Sequence, residues 1–220
     1  MKLPPLLIRV MDLEANGFLH QATKIHCFVF SDLKKQEVRR FGPDELDKAV
    51  EYLKKCNVII GHNIIEYDLP LIEKLLGVKY EGKKVDTLIM SRLLNPKRLL
   101  PPDASDRTAG PHSLYAWGVR CGIDKPEHSD WENYSPEMLH RCEEDVSINV
   151  STYHMLMKEA EGWNWREAFL LSFKFFENIH RQSEYGWKVD RPWMEWCIAT
   201  LDKRLARIDQ AVLPKLPHIT

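Results

Sequence analysis

With 220 residues, 44% of them hydrophobic and 29% charged, the chain is longer than a minimal domain, short for two full ones and too apolar for disorder. Lys and Arg number 31 against 32 Asp and Glu, so the formal net charge is -1, which excludes an overall basic coat for nucleic acid but not a local basic patch. No apolar run approaches the roughly 18 residues of a membrane span, and the opening MKLPPLLIRV is too short and proline-broken for a signal peptide, so a cytoplasmic protein without membrane contact is expected.

Leu6–Leu13 reads as a buried strand ending in the turn-prone Ala15-Asn16-Gly17. Lys24–Phe30 and Glu37–Phe41 follow across a short polar turn, which predicts an antiparallel meander. Asp44–Lys55 places Leu46, Val50 and Leu53 on one helical face. Asn57–Gly61 reads as a fourth strand and Tyr67–Leu76 as a helix. Lys84–Asp86 is then a fifth strand, followed by a helix over Thr87–Leu94. Strand and helix alternate after the meander, so a mixed α/β sheet with helices on its faces is expected. Asn95–Pro111, rich in proline and turn residues, is a long surface loop. His112–Gly122 and Ser135–Glu161 are helical, the second capped by Ser135 with proline next. Helices over Trp165–Ser183 and Arg191–Leu213 form a tail without an obvious core of its own, so a boundary is placed at 162/163. Cys27, Cys56, Cys121, Cys142 and Cys197 are odd in number and scattered without a C-x-x-C pair; buried thiols are expected rather than disulfides or zinc ligands.

Three places put acids where a sheet delivers side chains to a cleft. Asp12 and Glu14, two apart at the end of the first strand, point to the same face, and such a pair either binds a cation or forms a solvated acidic strand end. Asp68, within GHNIIEYD, opens a helix and reads as a cap or a ligand. Asp145 lies beside the apolar stripe of Cys142 and Val146, where a carboxylate needs either a metal or a salt bridge. Together they supply the hard oxygen ligands that two-cation phosphoryl chemistry needs.

In this order, MDLEANG at Met11–Gly17, GHNIIEYDLP at Gly61–Pro70 and RCEEDV at Arg141–Val146 resemble the three motifs of the DnaQ-like (DEDD) 3′–5′ exonucleases. Within that family the chain is similar to the proofreading domains of phage-type family A DNA polymerases. VDTLIMSRLL at Val85–Leu94 and HSLYAWGVRCG at His112–Gly122 match connecting segments. The resemblance covers about residues 6–160; the tail resembles the lead into a polymerase whose own catalytic motifs are absent from the sequence. It implies a ribonuclease H-like fold: a mixed five-stranded sheet flanked by helices, with a C-terminal helical extension over residues 163–220. It also implies a metal-dependent exonuclease in residues 1–162, releasing nucleoside monophosphates from single-stranded DNA 3′ ends. Asp12, Glu14, Asp68 and Asp145 would bind two Mg²⁺ or Mn²⁺ ions, with Asn63 helping to set the terminal nucleotide. The expected setting is the cytoplasm of a bacterium or phage-infected host, with polymerase domains or a replication protein as partner.

The third motif departs from the family. Its members usually carry a tyrosine four residues before the last aspartate, or a histidine five before; here those positions are Arg141 and His140. On a regular helix i and i+4 share a face, which favours Arg141, a group that clamps phosphate but cannot accept a proton. His140 has the chemistry of a general base and is expected in that role, which requires a helix that starts late or bends. His140→Ala is then expected to reduce turnover more than Arg141→Ala. Phe18 and Tyr67 are candidates to stack on terminal bases, His112 to reach a phosphate. The acids do not read the sugar, so a ribonuclease of the same fold is one alternative. A non-catalytic DNA-binding or polymerase-docking module, motivated by the missing tyrosine, is another. Trp163, Trp165, Trp187, Trp193 and Trp196 cluster in the tail as an interface or as core.

Overall fold

The computed structural model describes residues 6–123 and 130–216. The first five residues of the opening stretch lie outside them. In chain order the elements are β1 (Ile8–Ala15), β2 (Ile25–Ser31), β3 (Val38–Phe41), α1 (Leu46–Lys55), β4 (Val58–Gly61), α2 (Asp68–Leu76), β5 (Lys83–Asp86), α3 (Thr87–Leu94), α4 (Leu114–Cys121), α5 (Pro136–Glu159), α6 (Arg166–Tyr185) and α7 (Arg191–Val212). The five strands form one sheet in the order β3-β2-β1-β4-β5. The meander β1-β2-β3 is antiparallel and β1-β4-β5 is parallel, as the alternation predicts.

Period-two alternation sorts β1 into two cores. Met11, Leu13 and Ala15 join Phe28, Phe30, Tyr52 and Leu53 in the larger cluster, while Val10 joins Cys27, Val29 and Ile60 under Cys142, Val146 and Val150 of α5. Asp12 and Glu14 therefore point to the α5 side. β1 runs two residues past the expected end at Leu13, because Glu14 pairs with Cys27 before the register shifts between Glu14 and Ala15. That extra pairing holds the second acid on a strand rather than a loop. All seven residues of β2 are buried, since both of its faces are covered.

The chain divides into two compact units, Met1–His180 and Arg181–Thr220, and the division falls inside α6. In the first, Phe173 of α6 is buried in the larger core, with Phe169 and Phe176 packed against it. In the second, Asp190 caps α7 by accepting from the Trp193 N–H at 3.1 Å, and the Trp193 and Trp196 rings stack with centroids 4.7 Å apart. Both rings are exposed, as are Trp163 and Trp187. Among the described residues no helix is long and apolar enough to cross a membrane.

Candidate functional site

Carboxylate oxygens of Asp12, Glu14 and Asp145 lie within 4.8 Å of one another. β1 supplies two of them and α5 the third. The apolar contact of Val10 with Cys142 and Val146 presses that helix onto the strand, and Asp145 comes with it. Glu14 is 9% exposed and Asp145 4%. Three carboxylates gathered this closely repel one another when charged, and a hard divalent cation is what such an all-oxygen donor set fits. Beneath them the buried Cys142 thiol points at Asp12 Oδ2, 3.8 Å away. Burial holds that thiol well above its ordinary pKa, so it remains a neutral floor to the site.

Asp68 stands outside that trio. Its carboxylate is buried at the start of α2, accepting from its own backbone N–H and from that of Leu13, between the two β1 acids. β1 pairs with β4 only as far as Val10, and Asp68 binds the strand at Leu13 beyond that pairing. Burial first, then the charges of Asp86 and Glu14, push Asp68 up to about 8. An acid raised in the folded state contributes stability that is fully present below the unfolded value near 3.8 and is lost as pH rises through about 8. EDTA-treated protein is therefore expected to lose Tm as pH goes from 5 to 8, and Asp68→Asn to flatten that slope. An equal slope in the variant would place the titration elsewhere.

The turn carrying the second motif is built by residue type. A Cβ on Gly61 would lie 2.5 Å from Ile64 Cδ1, so the strand end must be glycine. Asn63 takes a left-handed φ of 64°, which asparagine tolerates better than most residues. Asp86, fully buried at the end of β5, then gathers the turn. Its Oδ1 accepts from the N–H groups of Asn63, Leu88 and Ile89 at 3.2, 2.9 and 3.1 Å, and its Oδ2 from Ile65 at 3.1 Å. The sequence reading did not single out Asp86. An aspartate directly before Thr-Leu at a strand end was its available signal, that of a helix N-cap.

Tyr67 ties the first two motifs together, its hydroxyl donating to the Gly17 carbonyl at 2.7 Å. Burial, with the charges of Asp68, Glu14 and Asp12, pushes that hydroxyl up to about 12, and it stays a donor. Phe18 is 72% exposed on the loop after β1. Asn16 braces that loop, its Oδ1 accepting from the N–H groups of Thr23 and Lys24 at 2.9 and 3.1 Å. His112 is elsewhere. Its Nδ1 meets Ser91 Oγ at 2.8 Å, and burial and then Arg98, Arg92 and Arg120 lower its pKa, so it is not brought to the acids.

The third motif corrects the expectation for His140. α5 is one continuous helix from Pro136, so no late start or bend turns His140 inward, and its side chain is exposed. Arg141 takes the inner position instead: its side chain is 15% exposed and its Nε lies 3.6 Å from Glu14 Oε1. The guanidinium carbon sits 5.1 Å from the centre of the Trp131 ring, and the Trp131 carbonyl meets Nε2 of the buried His26 at 2.9 Å.

No family model matches the chain. Among curated proteins it is 27% identical over 186 residues to the DNA-directed DNA polymerase of Enterobacteria phage T3 and 26% identical to that of Escherichia phage T7, each match covering 68% of this chain. These matches support the resemblance to a DnaQ-like exonuclease domain of a phage DNA polymerase. The matches cover 26% of each polymerase, so the chain spans about a quarter of the length of the relatives it matches. Among solved structures, Brucella melitensis NrnC with bound Mg²⁺ superposes with a TM-score of 0.59 at 18% identity, covering 84% of this chain and 90% of that one. Escherichia coli RNase D, an exoribonuclease, gives 0.57 at 15% identity, covering 80% and 46%. Both confirm the ribonuclease H-like fold. Against the expectations for a DnaQ-like domain, three of the four acids converge, Asp68 lies alongside, and arginine occupies the tyrosine position.

Proposed function

We propose that this chain is a divalent-metal-dependent 3′–5′ exonuclease that releases nucleoside monophosphates from single-stranded DNA 3′ ends, in a proofreading role beside polymerase domains. The observation that carries the reading is the convergence of Asp12, Glu14 and Asp145 within 4.8 Å from distant parts of the sequence. These three would hold two Mg²⁺ or Mn²⁺ ions, with Asp68 completing the negative site. Bound there, the ions supply Lewis-acid chemistry, making water more acidic and offsetting charge on the phosphodiester. In this reading residues 1–162 do the chemistry and residues 163–220 lead toward a polymerase.

The chain's own residues define the rest. Arg141 holds a non-bridging phosphate oxygen while its Nε stays against Glu14. Phe18 offers an exposed ring to the terminal bases on a braced loop. Tyr67 keeps that loop registered to the Asp68 turn, and Asn63 sets the turn's direction. Water adds to phosphorus, the P–O3′ bond breaks, and the nucleotide leaves with its phosphate. Burial of Glu14, Asp68 and Asp145 limits bulk water at the acids and strengthens every charge interaction there.

Arg141→Ala is expected to lower turnover by roughly 10²-fold, the scale for losing one group that stabilises transition-state charge, and His140→Ala by no more than about threefold. The order reverses the sequence-based expectation, because a regular helix brings i and i+4 to the same site. A larger loss in His140→Ala would restore the histidine as base. One observation favours a second reading: Arg141 is itself a cation beside Glu14, and it competes with a metal there. If wild type is inert on labelled DNA and RNA 3′ ends in Mn²⁺ yet binds them as tightly as Asp12→Ala plus Glu14→Ala, the chain is a binding module. Digestion of RNA in preference to DNA would make it a ribonuclease of the same fold.

A further inference from the structure

The far end of α5 carries a second concentration of charge. Glu159 lies fourteen residues beyond Asp145, which at 1.5 Å per residue is about 21 Å along the helix. There Arg98 and Arg120 lay their guanidinium groups over the buried Trp117 ring, 4.7 and 4.8 Å from its centre. Arg98 Nη2 donates to both carboxylate oxygens of Glu159 at 2.9 and 2.7 Å. Arg120 Nη2 donates to the Leu99 carbonyl at 2.7 Å. With Met155 and the exposed Lys158 these residues line an open pocket of about 500 Å³.

Two features of this pocket are unexplained by packing. Three cations, Arg98, Arg120 and Lys158, share a single lining carboxylate. The imbalance is felt locally: burial and then Arg98 lower the pKa of Arg120. Moreover, Arg98 Nε and Arg120 Nη1 are both buried with no hydrogen-bond partner. A buried guanidinium N–H without an acceptor is a standing cost, and an oxyanion removes it once the guanidinium turns outward from the Trp117 ring. Because Trp117 is only 1% exposed, the ring offers no face for a base to stack on. The pocket's charged ends belong to Arg98, Arg120, Lys158 and Glu159, and its walls are largely apolar, with the exposed Met155 among them.

We propose that this pocket binds a phosphate group, with Arg120 and Lys158 as its contacts, and reads neither base nor sugar. A phosphodiester of the strand whose end lies at the acids is the source that rests on the exonuclease reading; free phosphate is the other source of the same chemistry. The test uses the full chain in EDTA, where nothing is hydrolysed, and follows binding of fluorescein-labelled (dT)12 and (rU)12 across a salt titration. A phosphate contact on a single strand contributes about 0.7 to the slope of log K against log salt. Lys158→Gln and Arg120→Gln are each expected to reduce the slope by about 0.7, equally for both oligonucleotides. A parallel arm measures Tm with and without inorganic phosphate.

A reduced slope assigns the pocket to the strand. An unchanged slope, with phosphate raising Tm in wild type but not in the variants, assigns it to free phosphate and keeps the proposal. Unchanged slope and unchanged phosphate effect in both variants overturn it, and so does discrimination between (dT)12 and (rU)12 that vanishes in the variants. Lys158 is exposed, so its variant remains decisive if Arg120→Gln fails to fold. Because no turnover is measured, a chain without nuclease activity still gives the slope, and an active nuclease with unaltered slopes and an unaltered phosphate effect sinks only the pocket.

Discussion

Asp12→Asn or Asp145→Asn is expected to slow nucleotide release on the order of 10³-fold in Mg²⁺ or Mn²⁺ while leaving the metal-free protein as stable as wild type or more so. The two effects have one cause. Asp12, Glu14 and Asp145 are held within 4.8 Å by the seating of α5 on β1, so in the absence of a cation their charges oppose one another. Removing one relieves repulsion and raises Tm in EDTA; it also removes a charge and an oxygen ligand that the reaction needs. The acids work as a unit, so Asp12→Asn combined with Glu14→Gln is expected to be no slower than the worse single variant. Single-turnover digestion of a 5′-labelled oligonucleotide and melts in EDTA read the two sides. Activity retained within tenfold in both single variants would detach the acids from the chemistry.

Asp86→Ala is expected to destabilise the protein by about 3–5 kcal/mol, which for a chain of this length is a fall in Tm of roughly 10 °C. One carboxylate accepts from four backbone amides, and those of Ile65 and Ile89 are buried, so deletion leaves donors that water cannot reach. Asp86→Asn is the sharper probe. It keeps an oxygen for Asn63, Leu88 and Ile89, places an amide donor against the Ile65 N–H, and is expected to cost less than half as much. Since the same amides shape the turn between Gly61 and Asp68, both variants are also expected to lose activity at temperatures where they remain folded. Chemical denaturation checks the stability order. A loss under about 1 kcal/mol in Asp86→Ala would mean that the turn is held by its glycine and asparagine without the aspartate.

Both predictions bear on how much could be read without coordinates. The strands and helices of the first 160 residues were legible because their signals are local: alternation in β1, proline and serine at the head of α5, glycine after α2 and α4. The acids were legible as a set because D-x-E on a strand has only one geometry, and because the ordered motifs resemble a known family. Asp86 was passed over because its four partners come from two segments twenty or more residues apart. No window of sequence contains that arrangement. The expectation for His140 set chemical aptitude above helical geometry, and the regular helix brings Arg141, not His140, beside Glu14.

By itself, the order of residues determined a mixed sheet with helices on its faces and the shared side of β1 on which Asp12 and Glu14 stand. These follow from backbone periodicity and steric limits that act over a few residues. Only the tertiary structure decided that Asp145 meets those acids while Asp68 binds the strand between them, that Arg141 rather than His140 reaches Glu14, and that His112 meets Ser91 of α3 under the influence of Arg98, Arg92 and Arg120. Those outcomes depend on which helix face apolar burial presses against the sheet, and that choice is made by the whole core at once.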